Sequence, residues 1–254
     1  MRKLALLIAF SSLLVMFAAC GGSSSSDKTA TPKPAGDATA AKSPAASSSP
    51  AAGKTPTVAP KTEKDETAFA RSMLLSADDF PSGWVETPST AEDEENPLNE
   101  LCGEAAEKGK TGRAEGSDFA ADANSASISE VVIVFGKAAE AGTAIDKIPA
   151  LIDCAVKAID DDKLSSPGVE FSGTTSKKIT VDAPGDKSYA FQIQMTGKAT
   201  EQPDQEVTVY LTLVFAKKGR VGYQLTAQRT GEPADPAEIA TYAKKAAAKL
   251  KQQP

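Results

Sequence analysis

Cys20 is the residue of this chain best placed for chemistry. It follows Phe17-Ala18-Ala19 and precedes Gly21-Gly22, the small-residue setting in which a cysteine thiol is acylated and the chain is cut in front of it. Arg2 and Lys3 give a short positive start, and Leu4 to Ala19 runs without a charge, so residues 1–19 read as a lipoprotein signal peptide. The apolar run is short for a membrane span, which takes about 20 residues. An uncleaved N-terminal anchor is the alternative, but Ser23 to Ser26 follow where a positive stop-transfer cluster would stand. The expected mature chain begins at Cys20 bearing palmitate or a similar acyl group. It is held at the cell membrane by that lipid and faces outward from the cytoplasm.

Cys102 and Cys154 form an even pair, and in an oxidising compartment such pairs bond. A disulfide is expected, with two buried thiols as the alternative. The chain has no histidine, which removes Ser–His–Asp and Cys–His nucleophile systems and every histidine-bearing metal site. No Gly-rich phosphate loop and no CxxC is present, so neither a cofactor nor a metal is expected. A hydrolase working through paired carboxylates is the one enzyme class left open. Yet Glu92-Asp93-Glu94-Glu95 and Asp160-Asp161-Asp162 are consecutive runs that suit solvated loops or helix ends, without the spaced ligands of a calcium loop. The expectation is a protein without catalytic activity.

The elements that position these residues begin well past Cys20. Residues 20–62 are Ser, Ala, Thr, Pro, Gly and scattered Lys with a single valine, Val58, too little apolar surface to offset the entropy of ordering. A flexible coil of that length has an r.m.s. reach of roughly 35 Å. Residues 63–254 have globular composition and read as one domain. The whole chain carries −6; the signal holds +2 and the tether +3, which leaves −11 on the domain. Such an acidic domain argues against nucleic acid as a partner.

Three segments of the domain alternate with period two, the mark of antiparallel strands. They are Tyr189, Phe191, Ile193 and Met195; then Val207, Val209, Leu211, Leu213 and Phe215; then Val221, Tyr223, Leu225 and Ala227. Ile128 to Phe135 is apolar on both faces near its end and reads as a central strand, with Ala114 to Ala121 beside it. Val169 to Phe171 and Ile179 to Val181 give a further, irregular strand. Ala138 to Ile159 has helical spacing, with Pro149 expected to kink or split it. Asp235-Pro236-Ala237-Glu238 opens a final helix with the stripe Ile239, Tyr242, Ala243, Ala246 and Leu250. Pro97 to Glu107 reads as a short helix carrying Cys102. The sum is an α+β fold: an antiparallel sheet of about five to six strands, with two main helices and a core on one face.

The string Leu75-Ser76-Ala77-Asp78-Asp79-Phe80-Pro81-Ser82-Gly83-Trp84 is the most distinctive in the domain. Trp84, the single tryptophan, reads as a lid on the core, with an exposed ligand platform as the alternative. This L-S-x-x-D-F-P-x-G-W pattern resembles the opening of the PknH-like extracellular sensor domains found on mycobacterial receptor kinases and as free actinobacterial lipoproteins. Leu101-Cys102-Gly103, the Phe135-x-x-Ala138 entry to a cysteine-bearing helix, Pro184-Gly185-Asp186 before a strand and the Ala-rich last helix are similar too. The resemblance covers roughly Ala68 to Leu250. It implies an antiparallel sheet packed with helices, a ligand-sized cleft and no established enzymatic activity. Kinase-linked members carry two disulfides, whereas this chain can form one within its domain.

One candidate ligand face follows from register. Taking Lys217-Lys218-Gly219-Arg220 as a hairpin turn sets Thr212 opposite Gln224, Tyr210 opposite Thr226 and Thr208 opposite Gln228. Gln192, Gln194 and Thr196 then lie beside Thr212, Tyr210 and Thr208. These nine side chains would form an uncharged patch of amides and hydroxyls able to orient a polar or sugar-like ligand. The same residue types also tolerate a wetted or helix-covered sheet face without any ligand. The expected role is a membrane-anchored sensor or binding lipoprotein whose partner is a small ligand. The alternative is a structural lipoprotein that binds a protein of the cell envelope.

Overall fold

The computed structural model describes residues 62–89, 102, 108–121, 126–161, 169–200 and 202–250. The signal peptide, Cys20, the tether to residue 61 and most of the expected helix around Cys102 lie outside those residues. Three helices are described: α1 (Glu63–Arg71), α2 (Ala138–Asp160) and α3 (Pro236–Lys249). The strands are β1 (Val85–Thr87), β2 (Lys110–Glu115), β3 (Asp118–Ala120), β4 (Ala126–Phe135), β5 (Val169–Ile179), β6 (Lys187–Ala199), β7 (Gln202–Lys218) and β8 (Val221–Thr230). They make one antiparallel sheet in the order β1-β3-β4-β8-β7-β6-β5, with β2 also paired to β4.

The α+β class matches the expectation, and the strand count exceeds it for local reasons. The Ala114–Ala121 stretch breaks at Gly116-Ser117, so its two parts pair with β4 in succession as β2 and β3. Val85–Thr87 adds a short strand at one edge. Thr174 to Lys178 is polar and looks like a loop, but an edge strand with one wet side needs no apolar alternation, and β5 runs through it. A bulge between Phe171 and Gly173 interrupts its pairing with β6.

Both faces of the sheet are covered, where one was expected. On one face, α2 buries Ile152, Ala155, Ala158 and Ile159 against Phe191, Ile193, Met195, Val209, Leu211, Leu213 and Phe215. On the other, α3 and the segment after α1 bury Ile239, Tyr242, Ala243, Met73 and Phe80 against Val132, Val134, Val214, Tyr223, Leu225 and Ala227. The cause lies in β4 and β7, which carry apolar residues on both sides. Pro149 does not split α2, which is helical on either side of it. Asp235 caps α3 by accepting from the Ala237 N–H at 2.9 Å.

α1 was not apparent from apolar spacing, although its capping box is written in the sequence. The Thr62 hydroxyl accepts from the Asp65 N–H at 3.2 Å, while Asp65 accepts from the Thr62 N–H at 3.1 Å. Glu66 is buried, and Arg220 in the β7–β8 turn donates to both its carboxylate oxygens at 3.0 and 2.8 Å. The helix backbone lies so close to β2 that a Cβ on Gly112 would stand 2.5 Å from the Glu66 carbonyl carbon.

Cys102 and Cys154 are bonded, with Cα atoms 5.9 Å apart. Cys102 is half-buried beside the core under α2, so the bond ties its segment to that helix. Among the described residues, no helix is long and apolar enough to cross a membrane.

Candidate functional site

The nine-residue patch divides between the two faces. The β6–β7 register is the expected one: Gln192 opposite Thr212, Gln194 opposite Tyr210, Thr196 opposite Thr208. The β7–β8 register differs by three residues. β7 continues to Lys218 and β8 opens at Val221, leaving a two-residue turn of Gly219 (φ 60°) and Arg220. Side chains alternate sides along a strand, so an odd shift moves a whole row to the other face. Thr212 is therefore opposite Ala227, and Tyr210 opposite Arg229. Gln224, Thr226 and Gln228 sit instead opposite Phe215, Leu213 and Leu211, buried on the α2 side. The absence of charge is corrected as well. Arg229 enters the row beside Tyr210 and is paired with Glu238 at 2.5 Å.

Six of the nine residues share the α3 side of β6 and β7. Thr212 and Gln192 are buried, while Gln194, Thr196, Thr208 and Tyr210 are half-exposed. Gln194 and Thr196 open into a groove of about 600 Å³ at the β5 edge. Its other walls are Ile159 and Asp160 at the end of α2 and residues Phe171 to Thr175 around the β5 bulge. Ser172 donates its hydroxyl to the Thr196 carbonyl at 3.2 Å, which helps close the ladder across the bulge. The volume is in the range of small-molecule sites, roughly 300 to 1,000 Å³. A second cleft, between α2 and the β4–β8–β7 strands, is apolar and offers only about 60 Å³, room for little more than solvent. Gln224 and Lys217 are its polar members.

Three carboxyl groups stand out that sequence spacing did not single out. Burial pushes Asp118 up to about 6, helped by the charge of Glu115 and opposed by a hydrogen bond with Ser129. Burial raises Glu115 too, against the pull of Arg113 and the Ser89 hydroxyl. Ser89 lies 3.0 Å and Arg113 3.1 Å from this carboxylate. Neither acid lines the two cavities above, and among the described residues no group of three or more acids or cysteines is arranged for a metal. The third, Glu130, is buried on β4 under the Leu75–Trp84 string. Its Oε2 accepts the Leu75 N–H at 2.7 Å and Oε1 has no partner.

Burial pushes Glu130 up to about 7 from an ordinary 4.5; the Leu75 N–H and Lys249 oppose the shift, and Asp79 adds to it. A carboxyl raised in the folded state holds its proton there while the unfolded chain releases it. Folding is then favoured at low pH and weakened as pH rises from 4.5 through 7, by up to about 3 kcal/mol. Glu130→Gln keeps an acceptor for Leu75 and cannot ionise. Urea unfolding should show the variant close to wild type at pH 4.5 and more stable by about 2–3 kcal/mol at pH 8. Equal differences at both pH values would contradict this.

The motifs that carry the family resemblance do structural work in this chain. Ser76 and Asp79 cap a short 3-10 turn, and Lys249 of α3 reaches Asp79 and the Leu74 carbonyl. Phe80 stacks between Phe119 (4.0 Å) and Tyr242 (5.0 Å), and Trp84 tilts on Phe80 at 5.1 Å as a half-buried lid. The lid reading of Trp84 fits this packing. Asp186 accepts from the Gly219 N–H at 2.7 Å and donates its own N–H to the Lys217 carbonyl at 2.7 Å, holding the β7–β8 turn.

No family model matches the chain. No curated protein matches it closely enough to count as a relative. Among solved structures it is similar to the extracellular domain of PknH from Mycobacterium tuberculosis, at 10% identity over 72% of this chain and 95% of that one, with a TM-score of 0.39. It is also similar to LpqN, a protein of the same organism involved in cell envelope biogenesis, at 14% identity over 68% of this chain and 78% of that one, with a TM-score of 0.25. The first is an extracellular domain of the type whose motifs the sequence resembles. At these identities and scores, neither likeness assigns an activity or a ligand to this chain.

Proposed function

We propose that the chain is a lipoprotein anchored through Cys20 on the outer face of the cell membrane, and that its domain binds a small polar ligand without catalysis. The observation that carries the reading is the groove at the β5 bulge, whose lining includes Gln194 and Thr196 of β6, paired in the sheet with the half-exposed Tyr210 and Thr208 of β7. Amides and hydroxyls on a rigid sheet can orient a ligand, and Tyr210 adds apolar surface next to them. At the margin of this surface Arg229 and Glu238 compensate each other's charge. The anchor rests on the sequence around Cys20, and acyl chains hold a protein at a bilayer by about 0.8 kcal/mol per buried CH₂. An extended role as a sensor that passes ligand occupancy to a partner is the further reach of the same reading.

Native mass spectrometry of the protein purified from its own host's membranes tests both parts. Wild type should carry acyl mass and a co-purified ligand. Cys20→Ser should lose the acyl mass and leave the membrane fraction, and Tyr210→Ala should keep the acyl mass while losing ligand. Acylated Cys20→Ser protein would end the anchor reading. A ligand unaffected by Tyr210→Ala would move binding away from this face.

A further inference from the structure

We infer that the end of the sheet at the β7–β8 turn is a basic docking face for an anionic lipid bilayer. The inference rests on the Cys20 anchor read above and goes beyond it, because it gives the folded domain a contact of its own with the headgroups.

The domain is acidic as a whole, but among the described residues its charges are sorted by end. At the turn end, Lys108, Lys137 and Lys218 are exposed on adjoining segments. Gly136 donates its N–H to the Gly109 carbonyl at 2.9 Å, and Phe135 donates to the Arg220 carbonyl at 3.0 Å, which brings those segments together. Further along the same rim, the ammonium groups of Lys178 and Lys187 stand 4.9 and 5.7 Å from the Tyr189 ring centre. The acids of this end are compensated. Asp146 faces Lys187, Asp186 faces Lys217 at 3.3 Å, Asp182 faces Lys244 at 2.7 Å, and Glu140 accepts the Lys137 N–H at 2.9 Å. α1 adds Glu63 and Asp65 beside Lys64. The opposite end has the reverse balance. Glu170, Asp204, Glu206, Glu232 and Asp235 are exposed there, with Lys157 and Lys198 as the exposed lysines nearby.

The chain enters the domain at the basic end. Glu66 lies on Gly112, the Thr67 hydroxyl accepts the Arg113 N–H at 3.5 Å, and Leu74 lies beside Gly116. α1 therefore runs along β2 away from the turn end, and its cap Thr62 stands at that end. Arg220 in the turn fixes this arrangement through Glu66. A lipid at Cys20 keeps this entry point within reach of the bilayer and raises the effective concentration of the basic end there, so a weak attraction suffices. One lipid signal together with a basic patch is also a stronger hold than either alone. The acids do not cancel the attraction. β8 spans the sheet from end to end in ten residues, roughly 33 Å, whereas salt screens charge beyond about 8 Å. Docked this way, the domain turns the α2 end with Asp160 and its groove away from the headgroups.

Neutron reflectometry of the acylated protein on supported bilayers tests the docking face. One bilayer is phosphatidylcholine alone, and the other contains about one-third phosphatidylglycerol. Retention on phosphatidylcholine reads the anchor, and the height of the domain above the headgroups reads the basic end. Wild type should lie against the anionic bilayer and stand off by about 10 Å or more on phosphatidylcholine, or on either bilayer at about 1 M salt. Lys137→Glu/Lys218→Glu should stand off from the anionic bilayer in the same way. Both positions are exposed, so the melting temperature should stay near wild type. Lys157→Glu/Lys198→Glu makes the same charge change away from this end and should remain docked. Equal heights on the two bilayers, or equal effects of the two double variants, overturn the inference. Association of copies in solution at low salt that Lys137→Glu/Lys218→Glu abolishes, with height unaffected by phosphatidylglycerol, would assign the basic end to the acidic end of a second copy and overturn the bilayer as its partner. Protein washed off phosphatidylcholine but held on the anionic bilayer by Lys137 and Lys218 would sink the anchor and leave the docking face standing. Protein washed off both sinks both.

Discussion

Removing the Cys102–Cys154 bond lowers the unfolding free energy of the domain by about 4 kcal/mol. The bond closes a loop across a sequence separation of 52 residues, and the loss of chain entropy on cross-linking the unfolded state sets that magnitude. Packing adds to the effect, since Cys102 lies against the core beneath α2. A Cys102→Ser/Cys154→Ser protein should therefore unfold at lower urea, and its m-value should rise because the uncrosslinked chain exposes more surface. Wild type in reductant should follow the double variant. A difference below about 1 kcal/mol would mean that the cross-link constrains little in the unfolded chain.

Phe80→Ala is the second large effect, at about 3–5 kcal/mol. Phe80 is 8% exposed and stands at the centre of an aromatic group formed by Phe119, Tyr242 and Trp84. Truncation removes the transfer energy of the ring and leaves a cavity. Three neighbours on β3, α3 and the Trp84 segment must then collapse from different directions to fill it. For a domain of this size the melting temperature should fall by roughly 10 °C. Trp84, the single tryptophan, reports locally: its emission should shift to the red in the folded variant as water reaches the lid. Phe80→Leu should lose much less. Equal losses for both substitutions would mean that aromatic contact, rather than volume, governs the site.

Much of the fold was legible because its signals are local. The apolar stripe of α3, the Asp235 cap and the period-two pattern of β6, β7 and β8 each need only a few consecutive residues to read. The β6–β7 register was legible too, since both strands keep one phase over many residues. The β7–β8 register was not. Lys217, Lys218, Gly219 and Arg220 all suit a turn, and nothing local says that the lysines continue the strand. Asp186 makes the choice by holding Lys217 and Gly219 from a distant part of the chain. That small error moved Gln224, Thr226 and Gln228 to the wrong face and divided the candidate site. Glu130 was hidden for a related reason. Inside Ile128–Phe135 it looks like the polar member of a strand, and its burial depends on the Leu75 segment folding over it. Phe171 and Asp160 line one groove only because the end of α2 packs along β5, an arrangement that no spacing reveals.

The order of the strands also governs when this domain can form during synthesis. β5 to β8 pair with their neighbours in sequence, so those hairpins can assemble as soon as they are made. β1 to β4 have a different dependence: β4 joins the rest of the sheet through β8, with Ala126 against Arg229 and Val134 against Val221. A chain emerging N-terminus first must hold β4, whose Val131, Val132 and Val134 are apolar, without its main partner until almost all of the domain exists. α3, which seals that face, arrives later still. The part of the sheet built on β4 therefore joins the β5–β8 hairpins late. That timing makes truncation anywhere before residue 230 far more damaging than the length removed would suggest.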